Sequence, residues 1–375
     1  MALELNSSLE LVESKIIVKG KEINVDEIQD VEVYWDIDNL YTFGTVTFRD
    51  ELNFIENAPV LVNDEIELYF KDGLKKIYKQ TFIVQKVVKA GTHKGVNHAS
   101  LEIIDKNAIE FMKVYDSKGF VNTSVQDVIL DYYKKYNKEE NRKMYNESTP
   151  TGWGNDGNAS LIVPGDRSLF SSLNMFIKET DILLFNRRDD IMMTDYKKIN
   201  TKEAKKDKFT INPDNQFYNY RIGDYYVKGG DSFANTITNS DTEIVTYDYK
   251  AGKKVVKQNL GFKEASDASK SLGKTDVITA PTNKTKRIVY ASNNSGSNMF
   301  IQKKYANRAI QVVMTVPGTF ENNIGDVVDI VIPTSNNKLD IEKNISGKYL
   351  IIKIIDKIMA NKFVQQITIA RAKNK

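Results

Sequence analysis

The chain has no cysteine, two histidines and seven prolines in 375 residues, and no apolar run long enough to cross a bilayer. The missing cysteines exclude disulfides, thiolate metal sites and a cysteine nucleophile. His93 and His98 stand five positions apart beside a Gly-rich loop, which is not the helical pairing of a zinc protease, and no His-Glu-x-x-His occurs. Net charge is also scarce. Fifty-three basic residues face 50 acidic ones for a formal +3, interspersed along the chain apart from short clusters such as Lys205, Lys206 and Lys208. A basic footprint for nucleic acid is therefore absent. The first residues, MALELNSSLELVESK, lack a basic start followed by an apolar core, so no signal peptide is expected.

What is present is β patterning. Val31, Val33, Trp35 and Ile37 alternate, a turn at Asn39 leads to Tyr41–Phe48, and Asp72-Gly73 separates further apolar runs. These features, with a helical crossing over 51–57, predict a first β-barrel over residues 1–115. The period changes over 116–208. Ser124 with Asp127 three residues on reads as a helix cap, and Val125, Val128, Ile129, Tyr132, Tyr133 and Tyr136 follow on one face. A second helix carries Leu169, Leu173, Phe176 and Ile177, and a hairpin joins 182–185 to 191–196. This predicts a small α/β domain of helices and a hairpin.

Strands return over 209–257 and again over 312–375, where β-branched runs are closed by Pro-Gly, Asn-Asn and Ser-Gly. Together they predict a second, discontinuous barrel. The segment 258–311 reads as a polar insertion ending in a helix over 298–311. The expected fold class is thus β-rich α+β: two similar antiparallel β-barrels plus a small α/β insert domain.

No arrangement of residues carries catalysis. Ser271-Leu-Gly-Lys-Thr275 echoes the end of a phosphate loop, but Ala268 stands where its leading glycine belongs and no apolar strand precedes it. Gly154 to Gly157 is too short and polar for a phosphate cradle. Asp189 and Asp190 suit a turn, and Asp195 ends a strand, so this carboxylate cluster reads as structural. The aromatics Phe217, Tyr218, Tyr220, Tyr225 and Tyr226 suggest a base-stacking platform, but the low net charge favours an ordinary strand face. Neither a catalytic residue nor a cofactor or metal site is expected, and function falls to surfaces.

Three blocks carry a resemblance. They are Gly325-Asp-Val-Val-Asp-Ile-Val-Ile-Pro333 with Ser346-Gly-Lys-Tyr-Leu-Ile351, the run from Pro164-Gly-Asp-Arg-Ser-Leu-Phe to Asp190-Ile-Met-Met-Thr-Asp-Tyr196, and Tyr41-Thr-Phe-Gly-Thr-Val-Thr-Phe-Arg-Asp50. In this order and spacing the chain resembles baseplate hub proteins of contractile-tailed phages, related to the hub part of type VI secretion spikes. The resemblance implies a homotrimer whose six barrels adapt a six-fold tail tube to a three-fold central spike. It also implies a virion tail baseplate assembled in the host cytoplasm, with the tail tube, baseplate wedge and tape-measure proteins as neighbours, and DNA only in passage through the channel. Because Lys375 follows the last strand closely, the spike is expected to be a separate chain. A different class of reading, a receptor- or glycan-binding tail adhesin, rests on the exposed aromatics and the Asn/Gly-rich loop over 146–158. A cell-wall hydrolase would need a paired-carboxylate cleft.

Overall fold

The computed structural model describes residues 9–23, 28–49, 60–93, 96–137, 142–148, 159–163, 165–179, 182–206, 208–211, 220–229, 242–248, 253–259, 287–290, 308, 310–333, 345–359 and 362–371. A first β-rich lobe comprises β1 (Leu9–Glu10), β2 (Glu13–Val18), β3 (Lys21–Ile23), β4 (Ile28–Asp36), β5 (Phe43–Arg49), β6 (Glu65–Lys71), β7 (Ile77–His93) and β8 (Val96–Asp105). An α/β region follows, with α1 (Lys106–Lys113), β9 (Lys118–Thr123), α2 (Val125–Tyr136), β10 (Lys143–Asn146), β11 (Ala159–Val163), α3 (Leu169–Glu179), β12 (Ile182–Asn186), β13 (Asp190–Asp195) and α4 (Tyr196–Asn200). The second lobe holds β14 (Lys208–Thr210), β15 (Asp224–Gly229), β19 (Ile310–Pro317), β20 (Val327–Val331), β21 (Gly347–Met359) and β22 (Lys362–Arg371), while β16 (Thr242–Asp248), β17 (Lys253–Asn259) and β18 (Arg287–Tyr290) form a separate three-stranded sheet.

Local chemistry explains these elements. In β4, Val31, Val33 and Trp35 point inward while Glu32 and Tyr34 stay half-exposed, the period of a strand with one covered face. β2 turns into β3 through Lys19 and Gly20, both at positive φ, as a two-residue hairpin requires. α2 begins where the capping pattern predicts. The Asp127 amide donates to Ser124 Oγ at 3.1 Å, and Ser124 Oγ donates back to the Asp127 carboxylate at 2.6 Å. No helix among the described residues is long and apolar enough to cross a membrane.

The β-rich α+β class is borne out, but the sheet does not divide into two closed cylinders among the described residues. One 14-stranded sheet has the main path β15-β19-β22-β21-β4-β5-β8-β7-β6-β2-β3, with β1 added on β22, β20 on β21 and β14 on β20. The cause is β21. Its 13 residues pair with β22 along one side, and on the other with β20 near its start and with β4 from Lys353 onward. The second lobe therefore continues into the first, and Trp35 of β4 faces Ile354 across the joint.

Other expectations shift too. The helix expected over 298–311 lies mostly outside the described residues, but Ile310 and Gln311 already belong to β19. The crossing at 51–57 lies outside the described residues, as do 260–286 and 291–300 of the polar insertion. Helix α1 was not expected. Asp105 caps it, accepting from the Asn107 amide at 2.9 Å.

Two apolar cores result, and the hairpin β12–β13 lies between them. Leu183, Phe185 and Met192 enter the core shared by both β lobes. Ile182, Leu184, Ile191 and Met193 enter a second core with α1, α2, α3, Leu40 and Tyr41. Strand periodicity sends alternate residues to opposite faces, so the consecutive apolar runs Ile182–Phe185 and Ile191–Met193 bury both faces of the hairpin. Each such side chain stabilises by about 1.5–3 kcal/mol when fully buried. The hairpin thus mortises the α/β region into the sheet.

Candidate functional site

Among the described residues the most specialised chemistry is a set of buried carboxylates where the α/β region meets the two lobes. Asp356 lies inward on β21, in phase with Ile354 and Ile358, and is 1% exposed. Arg188, in the β12–β13 turn, grips it with two bonds, Nη1 to Oδ2 at 2.6 Å and Nη2 to Oδ1 at 3.0 Å. Trp35 Nε1 donates to Oδ2 at 2.9 Å and Gln365 Nε2 to Oδ1 at 2.7 Å. The guanidinium also lies over the rings of Trp35 at 5.1 Å, Phe320 at 5.2 Å and Tyr78 at 5.8 Å. Its Nε donates to the Asn322 carbonyl at 3.1 Å. A charge removed from water is tolerated only when paired and bonded in this way.

Asp105 is the counterpart at the first lobe. It is fully buried, in phase with Leu101 and Ile103 of β8. Arg142 Nη1 donates to its Oδ2 at 2.6 Å, Gln80 Nε2 at 2.7 Å and Asn186 Nδ2 at 3.1 Å, while Oδ1 takes the Asn107 amide. Tyr78 donates to Gln80 Oε1 at 2.6 Å and contributes a ring beneath Arg188, so it touches both clusters. Burial pushes its hydroxyl pKa well above the ordinary tyrosine range, which keeps it a neutral donor.

Two further ties complete the frame. Asp72, in the β6–β7 turn, accepts from the Leu74 and Lys76 amides of its own turn at 3.0 and 2.8 Å. Its other oxygen accepts from the Phe320 amide at 2.9 Å and Thr319 Oγ1 at 3.2 Å in the second lobe. Arg308 clasps Asp38 at 2.7 and 2.9 Å and donates to the Tyr196 hydroxyl at 2.9 Å. Burial is the main reason that the Tyr196 hydroxyl pKa is pushed up to about 12.

An open cleft of about 490 Å³ lies at this junction, lined by Lys76, Ile77, Arg188, Lys205, Phe320 and Glu321 among others. Its charges are largely committed. Arg188 is held by Asp356, Lys205 reaches Asp326 at 2.8 Å, and Lys76 stands 4.0 Å from Glu321. Among the described residues no group of three or more His, Asp or Glu is placed to hold a metal ion.

Of the residues singled out in the sequence, Asp189, Lys205, Lys206 and Tyr220 line this cleft, and the others lie elsewhere or outside the described residues. Asp189 is exposed. Asp190 is half-buried, and burial above all raises its pKa despite Arg187 at 3.7 Å. Asp195 caps α4, accepting from the Lys198 amide at 2.8 Å. His98 Nδ1 lies 3.0 Å from Gln29 Oε1, and His93 is in register with Val96 in the β7–β8 pairing. Tyr220 is buried against Phe209 while Tyr226 is exposed, so these aromatics do not form one platform. Phe217, Tyr218, the stretch from Gly154 to Gly157 and that from Ser271 to Thr275 lie outside the described residues. The sequence reading missed Asp105 and Asp356. Their signal was an acid in the apolar phase of a strand.

No family model matches the chain, and no curated protein does. Solved structures do. A tail protein from Neisseria meningitidis MC58 aligns at TM-score 0.63 and 11% identity, over 97% of this chain and 97% of that one. The 43 kDa tail protein of prophage MuSo2 from Shewanella oneidensis aligns at 0.59 and 11%, over 96% and 98%. An E. coli component of the type VI secretion system, described as similar to bacteriophage T4 tail proteins, aligns at 0.53 and 7%, over 96% of this chain and 77% of that one. At such identities the shared property is the fold.

Proposed function

We propose that this chain is the structural hub of a contractile phage tail baseplate or related injection machine. In this reading three copies form a ring that adapts a six-fold tail tube to a three-fold central spike and surrounds the channel for DNA or effector. One observation carries it: the fold is shared from end to end, over nearly all of both chains, with two proteins described as tail proteins. A single common β module would match only part of each chain.

The units read from the sequence enter as parts of this proposal: 1–115 and 209–257 with 312–375 as the two barrel-like lobes, 116–208 as the α/β domain between them, and 258–311 as an insertion. A ring under load needs its lobes held at a constant angle, and the buried arginine–carboxylate ties supply that stiffness. The mixed-charge junction suits a passive wall or scaffold rather than an enzyme. The partners in this reading are two further copies, a central spike, the tail tube, and the wedge and tape-measure proteins, with DNA only in passage. The role needs no cofactor, and its place is the virion tail, assembled in the host cytoplasm.

The test is mass measurement and electron-microscopic imaging of the purified chain, alone and with a co-expressed spike. The expected result is three copies in a ring with pseudo-six-fold outline. A chain that stays monomeric with every candidate spike yet binds a sugar on a glycan array would overturn the hub reading in favour of a tail adhesin.

A further inference from the structure

The main path of the large sheet ends in two unlike strands, β3 and β15. At one end β3 is three residues long and exposes Lys21 and Glu22, charges that discourage further pairing. At the other end β15 runs for six residues and pairs with β19; the chain just before it is bridged to β14 (Thr210 with Arg221), so among the described residues the edge is open from Asp224 onward. Tyr226 is 55% exposed and Val227 45% exposed. As neighbours in a strand they face opposite ways, so the edge carries apolar surface on both faces. Asp224 and Lys228, on the same face as Tyr226, are exposed as well.

The sequence of this edge, Asp224-Tyr225-Tyr226-Val227-Lys228, is complementary to itself. Laid antiparallel against a second copy with Tyr226 on the two-fold axis, Asp224 falls opposite Lys228 and Tyr225 opposite Val227, each twice. Opposite charges and aromatic–β-branched pairs are the favourable cross-strand combinations. A slip by two residues loses both ionic pairs, so the register is specified. The geometry points to the β15 edge as a docking strand for a second copy of this chain, joined by strand addition into a two-fold pair. The inference goes beyond the hub reading. A two-fold contact has no place inside a closed three-fold ring, so it joins two free chains, or two rings back to back. A single strand pair is small beside the roughly 1,200 Å² that stable interfaces bury, so the association is weak and concentration-dependent.

The test is sedimentation velocity of the full chain from micromolar to sub-millimolar concentration. Wild-type chain, or its ring, is expected to pair reversibly. Asp224→Lys and Lys228→Asp each turn attraction into repulsion and weaken pairing about tenfold. The double variant Asp224→Lys/Lys228→Asp restores it, which no merely structural effect of either residue would do. Circular dichroism checks that each variant is folded. Absence of reversible pairing, pairing that ignores both single reversals, or a double variant as weak as the singles overturns the inference. Three-fold rings seen by imaging are unaffected by these variants, so the hub reading stands or falls separately.

Discussion

Asp105 and Asp356 are two buried carboxylates held by two arginines from the same α/β region, yet they are not equivalent. Arg142 reaches back to the end of β8 in the first lobe, whereas Arg188 reaches forward to β21 in the second. Asp105 keeps three other donors, from Gln80, Asn186 and the Asn107 amide, but Asp356 keeps only those of Trp35 and Gln365. Arg188 also lies against three aromatic rings, drawn from both lobes. The contrast teaches that the α/β region braces both lobes, and that the second clamp depends more heavily on its single arginine.

The largest effect should come from breaking that clamp. Arg188→Met leaves Asp356 charged and under-bonded, and is expected to cost about 3–5 kcal/mol in urea unfolding. Arg142→Met should cost less, about 2–3 kcal/mol, because three donors remain. An equal or reversed order would break the comparison. Arg188→Met combined with Asp356→Leu should recover most of the loss, since the stranded charge is then gone.

A middle-sized effect sharpens the picture on the second-lobe side. Gly325 has φ +81°, and a Cβ there would meet the Phe185 ring of the two-faced hairpin and Ile199. Gly325→Ala is expected to cost about 1–3 kcal/mol and to lower the thermal midpoint. A neutral result would mean that the second lobe does not press on the hairpin there.

Charges on the solvent side of the sheet should matter least. Burial, then Glu32 nearby, raises the Asp30 pKa in the folded chain. Its ionisation therefore costs the folded state more than the unfolded one, a penalty that grows as pH rises through the unfolded-state pKa. Asp30→Asn should be slightly more stable than wild type at neutral pH, with the gain vanishing below about pH 4, as read from melting curves across pH. Glu102→Gln, which removes the exposed partner of Lys86 at 3.1 Å, should change stability by less than about 0.5 kcal/mol.

Much of the fold was legible in the chain. The inward phase of β4, the cap at Ser124, the faces of α2 and α3, and the hairpin over 182–196 follow from local periodicity and capping chemistry. Helix α1 escaped because only eight residues, Lys106–Lys113, follow a strong strand, and Asp105 reads equally well as a turn residue. The two faces of β12–β13 escaped for another reason. An unbroken apolar run signals burial on both sides but does not say which two cores supply it.

Sequence alone determined the phase of β4, the cap at Ser124, the faces of the helices at Val125 and Leu169, and that thiol chemistry is unavailable, because these depend on residue types and on neighbours a few positions apart. Only the tertiary structure decided that β21 pairs with β4 and welds the two lobes into one sheet, and that Arg188 closes on Asp356 across 168 positions. An acid in the apolar phase announces that it needs a partner. Which partner arrives is set by the packing of distant strands, and no local pattern encodes that.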